Sequence, residues 1–176
     1  MYKNVAMLFF AVLSINSAVF AEEGPRDPYS YFFNETFGDY SEELQTARDE
    51  GKKGVMIFFE MDECPFCHWM KKNVLNQPEV QAYYREHFLS FPIDIEGDIE
   101  ITSFKGETMP QKDFAFKKHR VRATPVIAFF DLDGNVVHRH TGRTSSMDEF
   151  MLMGRFVAEG HYKKTRFIRF KRNNRD

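Results

Sequence analysis

Short apolar runs bounded by glycine or charged residues mark the strands of this chain. Gly54–Glu60 and Val126–Phe130 carry continuous apolar runs, which is the pattern of interior strands that are covered on both faces. Residues 88–95 predict another strand, and the tight turn at 131–135 leads into a further one at 136–138. These segments together predict a central β-sheet.

Apolar residues at helical spacing fill the segments between these strands. A helix is predicted from Asp39, whose side chain suits the cap position, with Leu44 and Ala47 on its apolar stripe and Gly51 at its end. Further helical stretches are predicted at 69–75, 78–84 and 111–119, and a last helix is capped by Ser145 or Ser146. Strands and helices that alternate in this order predict an α/β domain whose central sheet carries helices on both faces.

The N-terminus has the pattern of a secretory signal peptide. Lys3 is followed by an apolar run at 5–15, and small or β-branched residues precede a break after Ala21. Ser14 interrupts the run, which is shorter than the roughly 20 apolar residues of a membrane span. We therefore expect cleavage of residues 1–21 and an exported protein, periplasmic or, in a cell without an outer membrane, secreted. Residues 22–38, rich in proline, glycine and aromatic residues, predict an extended lead-in.

The composition predicts a single domain whose charge is unevenly distributed along the chain. With 176 residues, 43% of them hydrophobic and 20 of them Phe, the chain can bury a single core, which excludes a disordered, collagen-like or disulfide-stapled protein. Residues 161–176 hold seven Lys or Arg against one acid, whereas 22–160 hold 16 against 25. This basic tail predicts either contact with anionic lipid or an acidic partner, or a solvated end. Nucleic acid is not an expected partner of an exported protein.

The chain has only two cysteines, Cys64 and Cys67, although disulfides persist in the compartment that we expect. A bridge around two residues constrains the unfolded chain very little, so their value lies in chemistry. They follow a predicted strand directly, which places the first sulfur at a helix N-terminus, where the helix dipole favours a thiolate. Pro65 suits the first helical position. This arrangement predicts Cys64 as the exposed nucleophile and Cys67 as the resolving thiol.

Two other classes of protein use similar residues. Cys64-Pro65-Phe66-Cys67-His68 also fits the C-x-x-C-H pattern of covalent haem attachment, although haem domains of that kind are mostly helical. The two thiolates, with Met61 and His68 nearby, are also a candidate site for Cu(I) or zinc. Structural zinc normally needs four ligands, however, so the redox interpretation is favoured and no metal site is assigned.

Beyond the cysteines, Thr124-Pro125 stands before the second apolar strand, 57 residues after Cys67. With Cys64-Pro65-Phe66-Cys67, Asp94-Ile95 and the segment 129–134, residues 54–160 resemble the thioredoxin-like proteins. The match is closest to exported thioredoxin-related proteins associated with bacterial sulfur oxidation and periplasmic thiol reduction. The resemblance implies a thioredoxin fold over residues 39–160, with a central mixed sheet. It also implies a cis Pro125 beside the cysteines and a Thr124 backbone that is free to pair with an extended substrate segment.

Three features depart from ordinary thioredoxins. The motif interior is Pro65-Phe66 in place of Gly-Pro, and Phe58 stands where those proteins bury an acidic residue. Glu60 is then the candidate to exchange a proton with Cys67, unless it is a solvated charge at a strand end. Residues 97–110 form an insertion that predicts a small hairpin, which either shapes partner choice or is neutral. His68 is expected on the helix surface or as a residue that tunes Cys64.

Together these features predict a thiol–disulfide oxidoreductase that reduces client proteins, with a thiol oxidase or isomerase on the same fold as the alternative. No bound cofactor is expected, because the electrons reside on the two sulfurs. Asp62 and Glu63 disfavour the Cys64 thiolate while His68, Lys71 and Lys72 favour it, so the direction of electron flow rests on the resemblance. We expect a membrane or soluble thiol donor to recharge the pair, and a monomer, because no dimerisation segment is visible.

Overall fold

A four-stranded mixed β-sheet runs through the protein in the computed structural model, which describes residues 24–174. The strands lie in the order β2 (Phe88–Asp94), β1 (Gly54–Glu60), β5 (Val126–Phe130), β6 (Val136–Thr141). Strand β1 is parallel to β2 and antiparallel to β5, which is itself antiparallel to β6. The strands predicted from apolar runs are confirmed, whereas the predicted signal peptide lies outside the described residues.

Helices begin where the sequence places capping residues. Asp39 accepts hydrogen bonds from the N–H groups of Ser41 and Glu42, and Ser146 accepts one from the N–H of Glu149. The described helices are α1 (Pro28–Tyr31), α2 (Tyr40–Asp49), α3 (Pro65–Asn73), α4 (Pro78–His87), α5 (Gln111–Asp113) with a π-helical turn (Phe114–Lys118), α6 (Met147–Ala158), a 3₁₀ turn (His161–Lys163) and α7 (Phe167–Asn173).

The sheet has a hydrophobic core on each face. Side chains of β1 alternate, so that Met56 and Phe58 point into one core and Val55, Ile57 and Phe59 into the other. The first core is covered by α3, α4 and α6, and the second by α2 and the segment 101–121. The prediction of a thioredoxin fold with helices on both faces of the sheet is confirmed.

The insertion forms the predicted hairpin, in which β3 (Glu100–Thr102) pairs antiparallel with β4 (Thr108–Pro110). Phe104, in the turn between them, lies 4.4 Å from the ring centroid of Phe130 on β5. Gly134 permits this close approach, since a β-carbon there would stand 2.7 Å from the Cβ of Phe104. The insertion is therefore packed against the sheet.

Residues 22–38 are not extended throughout, in contrast to the sequence prediction. Asp27 accepts a hydrogen bond from the N–H of Ser30 and Pro28 occupies the first turn, so a short helix forms at Pro28–Tyr31. Phe32 and Phe33 follow it and are buried in the first core. The apolar area that these two rings bury outweighs the extended preference of a proline-rich segment.

The described part of the basic tail packs against α6. The prediction of a solvated end is therefore wrong for the side of the tail that faces this helix. Phe167 and Phe170 of α7 lie 5.4 and 5.3 Å from the ring centroid of Phe156 on α6. Lys171 of α7 forms an ion pair with Glu149 at the start of α6. Helix α7 therefore runs back along α6 towards the end of the molecule where α6 begins.

Candidate active site

Cys64 and Cys67 form a disulfide at the N-terminus of α3, with an S–S distance of 2.08 Å. Cys64 is the N-cap of the helix, and its Sγ accepts a hydrogen bond of 3.0 Å from the N–H of Cys67. The unpaired N–H groups and the dipole of the first turn stabilise negative charge at this position. The geometry therefore favours a thiolate on Cys64 after reduction.

Cys64 is less accessible than the sequence suggested. Its relative exposure is 2%, and that of Cys67 is 0%. The reason is the cap geometry, because the side chain of an N-cap residue folds back over the first helical turn instead of pointing outwards. Both cysteines are thus buried in the oxidised protein, and the division between nucleophile and resolving thiol stays a prediction.

Thr124 and Pro125 precede β5, and the peptide bond between them is cis. The main-chain N–H and C=O of Thr124 make no main-chain hydrogen bond within residues 24–174. The carbonyl of Pro125 accepts a hydrogen bond of 2.8 Å from the N–H of Gly142. The Thr124 backbone thus offers a free donor and acceptor to an extended peptide.

A loop after β6 connects Pro125 to helix α3. Gly142 contacts Pro125, and two residues later the hydroxyl of Thr144 donates to the Sδ of Met70 at 3.4 Å. Between them, the guanidinium of Arg143 lies over the rings of Trp69 and Phe66, at 4.3 and 5.9 Å from the ring centroids. These contacts bring Pro125 and the CxxC helix to the same end of the molecule.

Glu60 is a buried carboxylate in an ion pair, so the prediction of a solvated charge at a strand end is wrong. It lies on the same face of β1 as Phe58, which packs with both cysteines in the first core. Its Oε2 is 2.8 Å from the Nζ of Lys71, and its Oε1 accepts a hydrogen bond of 2.8 Å from the hydroxyl of Tyr29. Lys71 lies one turn beyond Cys67 on the same side of α3.

The hydroxyl of Tyr29 also accepts a hydrogen bond from Lys71, at 2.8 Å, which closes the network. Burial raises the pKa of Tyr29. Burial alone would lower the pKa of Lys71, but its hydrogen bonds to Glu60 and Tyr29 outweigh burial and raise it. Lys71 is consequently a cation that is paired with Glu60. The carboxylate of Glu60 offsets the effect that the charge of Lys71 would have on the Cys64 thiolate.

The remaining predicted residues lie around the rim. Phe66 is 54% exposed, so the motif presents an aromatic ring to solvent. Pro65 begins α3 in the expected first-turn position. His68 is exposed on the helix surface, with Nε2 3.0 Å from the carbonyl oxygen of Asp62, which agrees with the helix-surface interpretation.

Tyr29, Trp69 and Arg143 reach the site without having been predicted there. Tyr29 comes from the lead-in and Arg143 from the loop after β6, and no local motif marks either position. Trp69 follows the cysteine motif at helical spacing, which identified it as an apolar helix residue and not as a ring beneath an arginine.

Across residues 24–174, no group of three or more His, Cys, Asp or Glu side chains is arranged to hold a metal ion. None of the helices in that range is both long and apolar enough to span a bilayer.

Comparison with known proteins identifies the family. Residues 40–158 match the model of the thioredoxin-like domain, which covers more than half of the chain. The protein therefore belongs to the thioredoxin-like domain family. A search of curated protein sequences gave no significant match.

Solved structures show the same fold. A thioredoxin-fold protein from Helicobacter pylori matches with a TM-score of 0.60 and 23% identity, over 70% of this chain and 86% of that one. A thioredoxin from Thermus thermophilus matches with a TM-score of 0.53 and 25% identity, over 68% and 83%. A protein described as DsbH oxidoreductase matches with a TM-score of 0.55 and 16% identity, over 74% and 88%.

Proposed function

We propose that this protein is an exported thiol–disulfide oxidoreductase that reduces disulfide bonds in client proteins. The observation that carries the proposal is the Cys64–Cys67 pair at the N-terminus of α3, which the loop through Gly142 and Arg143 connects to the unpaired backbone before Pro125. A redox-active pair and a peptide-binding edge at one end of the fold are what the reduction of a protein disulfide requires.

The reaction begins from the reduced pair. The Cys64 thiolate attacks one sulfur of the client disulfide, forms a mixed disulfide and releases the other client sulfur as a thiolate, which takes a proton from water. Cys67 loses its proton and attacks the Sγ of Cys64, which releases the second client thiol. The client gains two electrons, and the protein is left with the Cys64–Cys67 disulfide.

Thr124 and Pro125 present the client during this exchange. An extended client segment pairs with the free N–H and C=O of Thr124, as an added strand pairs with the edge of a sheet. This pairing uses main-chain groups only, so it fits many client sequences.

A second protein must return the electrons. Because no organic cofactor is needed for exchange between sulfurs, we assign this role to a membrane or soluble thiol donor that reduces the Cys64–Cys67 bond by the same chemistry. We propose that the exported protein begins at Glu22 and works in the periplasm as a monomer. Sequencing the N-terminus of protein from a periplasmic extract tests this assignment, and uncleaved protein confined to the cytoplasm would overturn it.

The basic tail gives the protein a second contact surface. We define the basic face as the exposed cations Lys163, Lys164, Arg166, Arg169 and Arg172, around Ile168, which is 72% exposed. Phe167 and Phe170 are occupied in packing, so the charges and Ile168 remain for a partner. We propose that this face rests on anionic lipid headgroups, which attract clustered Lys and Arg.

Insulin reduction tests the catalytic proposal. With dithiothreitol as electron source, the wild-type protein should accelerate the precipitation of insulin chains, whereas Cys64→Ser should lose that activity. Cys67→Ser should instead accumulate mixed disulfides with clients, because the resolving step is absent. If Cys67→Ser traps no more client than the double variant Cys64→Ser/Cys67→Ser, the protein does not act on protein disulfides.

The same preparation separates the rival classes. A haem protein would show a Soret absorption band in the reduced sample, and a copper-binding module would retain Cu(I) after dialysis without accelerating insulin reduction. We expect neither result, because the two sulfurs are bonded to each other at the N-terminus of α3.

A further inference from the structure

Arg143 stands at the rim of the active site on an aromatic platform. Its Cζ is 4.3 Å from the ring centroid of Trp69 and 5.9 Å from that of Phe66, one of the two residues between the cysteines. Contact with these rings stabilises the cation and holds the guanidinium against α3. The side chain is therefore ordered before any client binds.

The loop that carries Arg143 is fixed on both sides of that residue. The N–H of Gly142 donates to the carbonyl of Pro125, and Thr144 donates to Met70. Farther along, the N–H of Ser145 donates to Oε2 of Glu149 at 2.8 Å. These anchors set the distance between Arg143 and the backbone that presents the client.

The guanidinium retains hydrogen-bonding capacity. It carries five N–H donors, and its hydrogen bond to a main-chain oxygen, from Nη1 to the carbonyl of Thr144, is long at 3.4 Å. A ring that stacks on one face of a guanidinium leaves the donors along its edges, which match the two oxygens of a carboxylate. Arg143 is also exposed, so those donors face solvent where a client would lie.

From this arrangement we infer that Arg143 is a specificity-determining residue that selects client segments with an Asp or Glu side chain close to the disulfide. The inference rests on the proposed function and adds a preference to it. A client segment that pairs with Thr124 passes Arg143, because Pro125 and Gly142 are hydrogen-bonded to each other. An acidic side chain there gains a bidentate ion pair, whereas a neutral one gains nothing and a basic one is repelled.

Two disulfide-bonded peptides that differ at one position test the preference. One peptide carries Glu beside a cysteine and the other carries Gln, and kcat/KM is measured for each with a thiol-regenerating system. The wild-type protein should favour the Glu peptide by about fivefold, as an ion pair at a partly desolvated rim provides. Arg143→Gln should bring the ratio to about one, because a neutral side chain forms no ion pair with the Glu peptide.

Matched variants separate local recognition from overall charge. Arg155→Gln makes the same charge change at an exposed position of α6, about 12 Å along the helix axis from the first residue of that helix. This variant should keep the wild-type ratio. Arg143→Glu should reverse the preference towards a Lys peptide. Thermal unfolding of each variant confirms that the fold is retained.

The outcomes distinguish the inference from the function on which it rests. If both peptides are reduced equally by the wild-type protein, or if Arg143→Gln keeps the full preference for Glu, the inference is wrong while the reductase function stands. If neither peptide nor insulin is reduced by the wild-type protein, the proposed function fails, and the inference fails with it.

Discussion

The side chain of Glu60 is bound by two partners that sequence patterns do not reveal. The side chains of Glu60 and Lys71 are 11% and 18% exposed, and the hydroxyl of Tyr29 bridges them. A charge pair this far from water is costly to break, because the remaining partner is left buried and unpaired. Lys71 lies one turn beyond Cys67, so we propose that the carboxylate of Glu60 in this network exchanges a proton with the resolving thiol.

Replacing Glu60 with Gln should slow the second half of the reaction. Without the carboxylate, Cys67 loses its proton less readily at neutral pH, so we expect the mixed disulfide to resolve about tenfold more slowly, and the loss to shrink as pH rises towards the pKa of the thiol. Stopped-flow measurement of client release gives the rate. Tyr29→Phe is the matched control, since it removes the two hydrogen bonds of the Tyr29 hydroxyl and keeps the carboxylate. Equal rates for Glu60→Gln and wild type across the pH range would contradict the assignment.

Two histidines are partly buried among aromatic rings. The ring of His138 lies 5.3 Å from that of Phe156 and 5.0 Å from that of Phe167, and its Nε2 is buried without a hydrogen-bond partner. Burial, together with the nearby charge of His140, lowers the pKa of His138 to about 4. Burial, with the charges of Arg139 and Lys118, likewise lowers the pKa of His119 to about 4.

Stability should therefore fall as the medium becomes moderately acidic. The unfolded chain binds protons at its ordinary histidine pKa near 6.5, whereas the folded chain binds them only near 4, so the free energy of unfolding is highest above pH 6.5 and decreases down to pH 4. We expect about 1–2 kcal/mol per histidine, allowing for their partial exposure. Urea unfolding over this range measures the slope, and His138→Phe should make it shallower. An unchanged slope in that variant would show that folding does not lower the pKa of His138.

Among the contacts between helices, the ion pair of Lys171 with Glu149 holds α7, and with it the basic tail, against α6. Burial by itself would raise the pKa of Glu149, but hydrogen bonds from Lys171 and Ser145 lower it to about 2. The folded pKa thus lies below that of the unfolded chain. Glu149 contributes stability that is complete above about pH 4.5 and is lost as pH falls towards 2.

Lys171→Ala should remove part of that contribution. We expect the free energy of unfolding at neutral pH to drop by about 1 kcal/mol, because the pair is partly exposed, with little difference from wild type once Glu149 is protonated at low pH. Chemical unfolding at both pH values measures this. Lys164→Ala, in the exposed part of the same tail, is the control and should have no effect. A loss that is equally large at both pH values would assign the effect to packing and not to the ion pair.

The elements also show where sequence reasoning succeeds. A strand that is covered on both faces must be apolar throughout, so Gly54–Glu60 and Val126–Phe130 carry their burial in the local sequence. Helices α1 and α7 are short and gain their stability from tertiary contacts of a few rings, which leave no periodic pattern long enough to detect. They were therefore predicted as an extended lead-in and a tail.

The same contrast holds for the site. Cys64, Cys67 and Pro125 were identified because their chemistry needs particular residue types at recognisable places along the chain. Tyr29 and Arg143 reach the site through contacts made across the fold, with Glu60 and with the ring of Phe66, which no local sequence pattern reveals.

Across the whole protein, acidic side chains predominate in residues 22–160 and basic ones in the tail, on the basic face. Residues 22–160 carry 16 basic against 25 acidic side chains, so the basic face is the part of the protein that an anionic surface attracts. Docking of α7 on α6 presents that face as one unit.

Vesicle binding tests this division of charge. The protein should sediment with vesicles that contain phosphatidylglycerol, should stay in solution with vesicles of phosphatidylcholine alone, and should be released by added salt. Arg166→Glu/Arg169→Glu should abolish binding, whereas the control Lys53→Glu/Lys105→Glu makes the same charge change elsewhere and should bind. Equal binding by both double variants would show that overall charge, and not the basic face, is responsible.

The equilibrium of the Cys64–Cys67 pair with a thiol buffer tests the central claim most directly. Alkylation of free thiols followed by mass spectrometry counts oxidised and reduced protein across a series of glutathione or dithiothreitol ratios. A reductant should show a single two-electron transition with a potential of about −250 mV or below. A pair that does not cycle would contradict the redox assignment altogether, and a potential near about −120 mV, as strong thiol oxidants have, would reverse the proposed direction of electron flow.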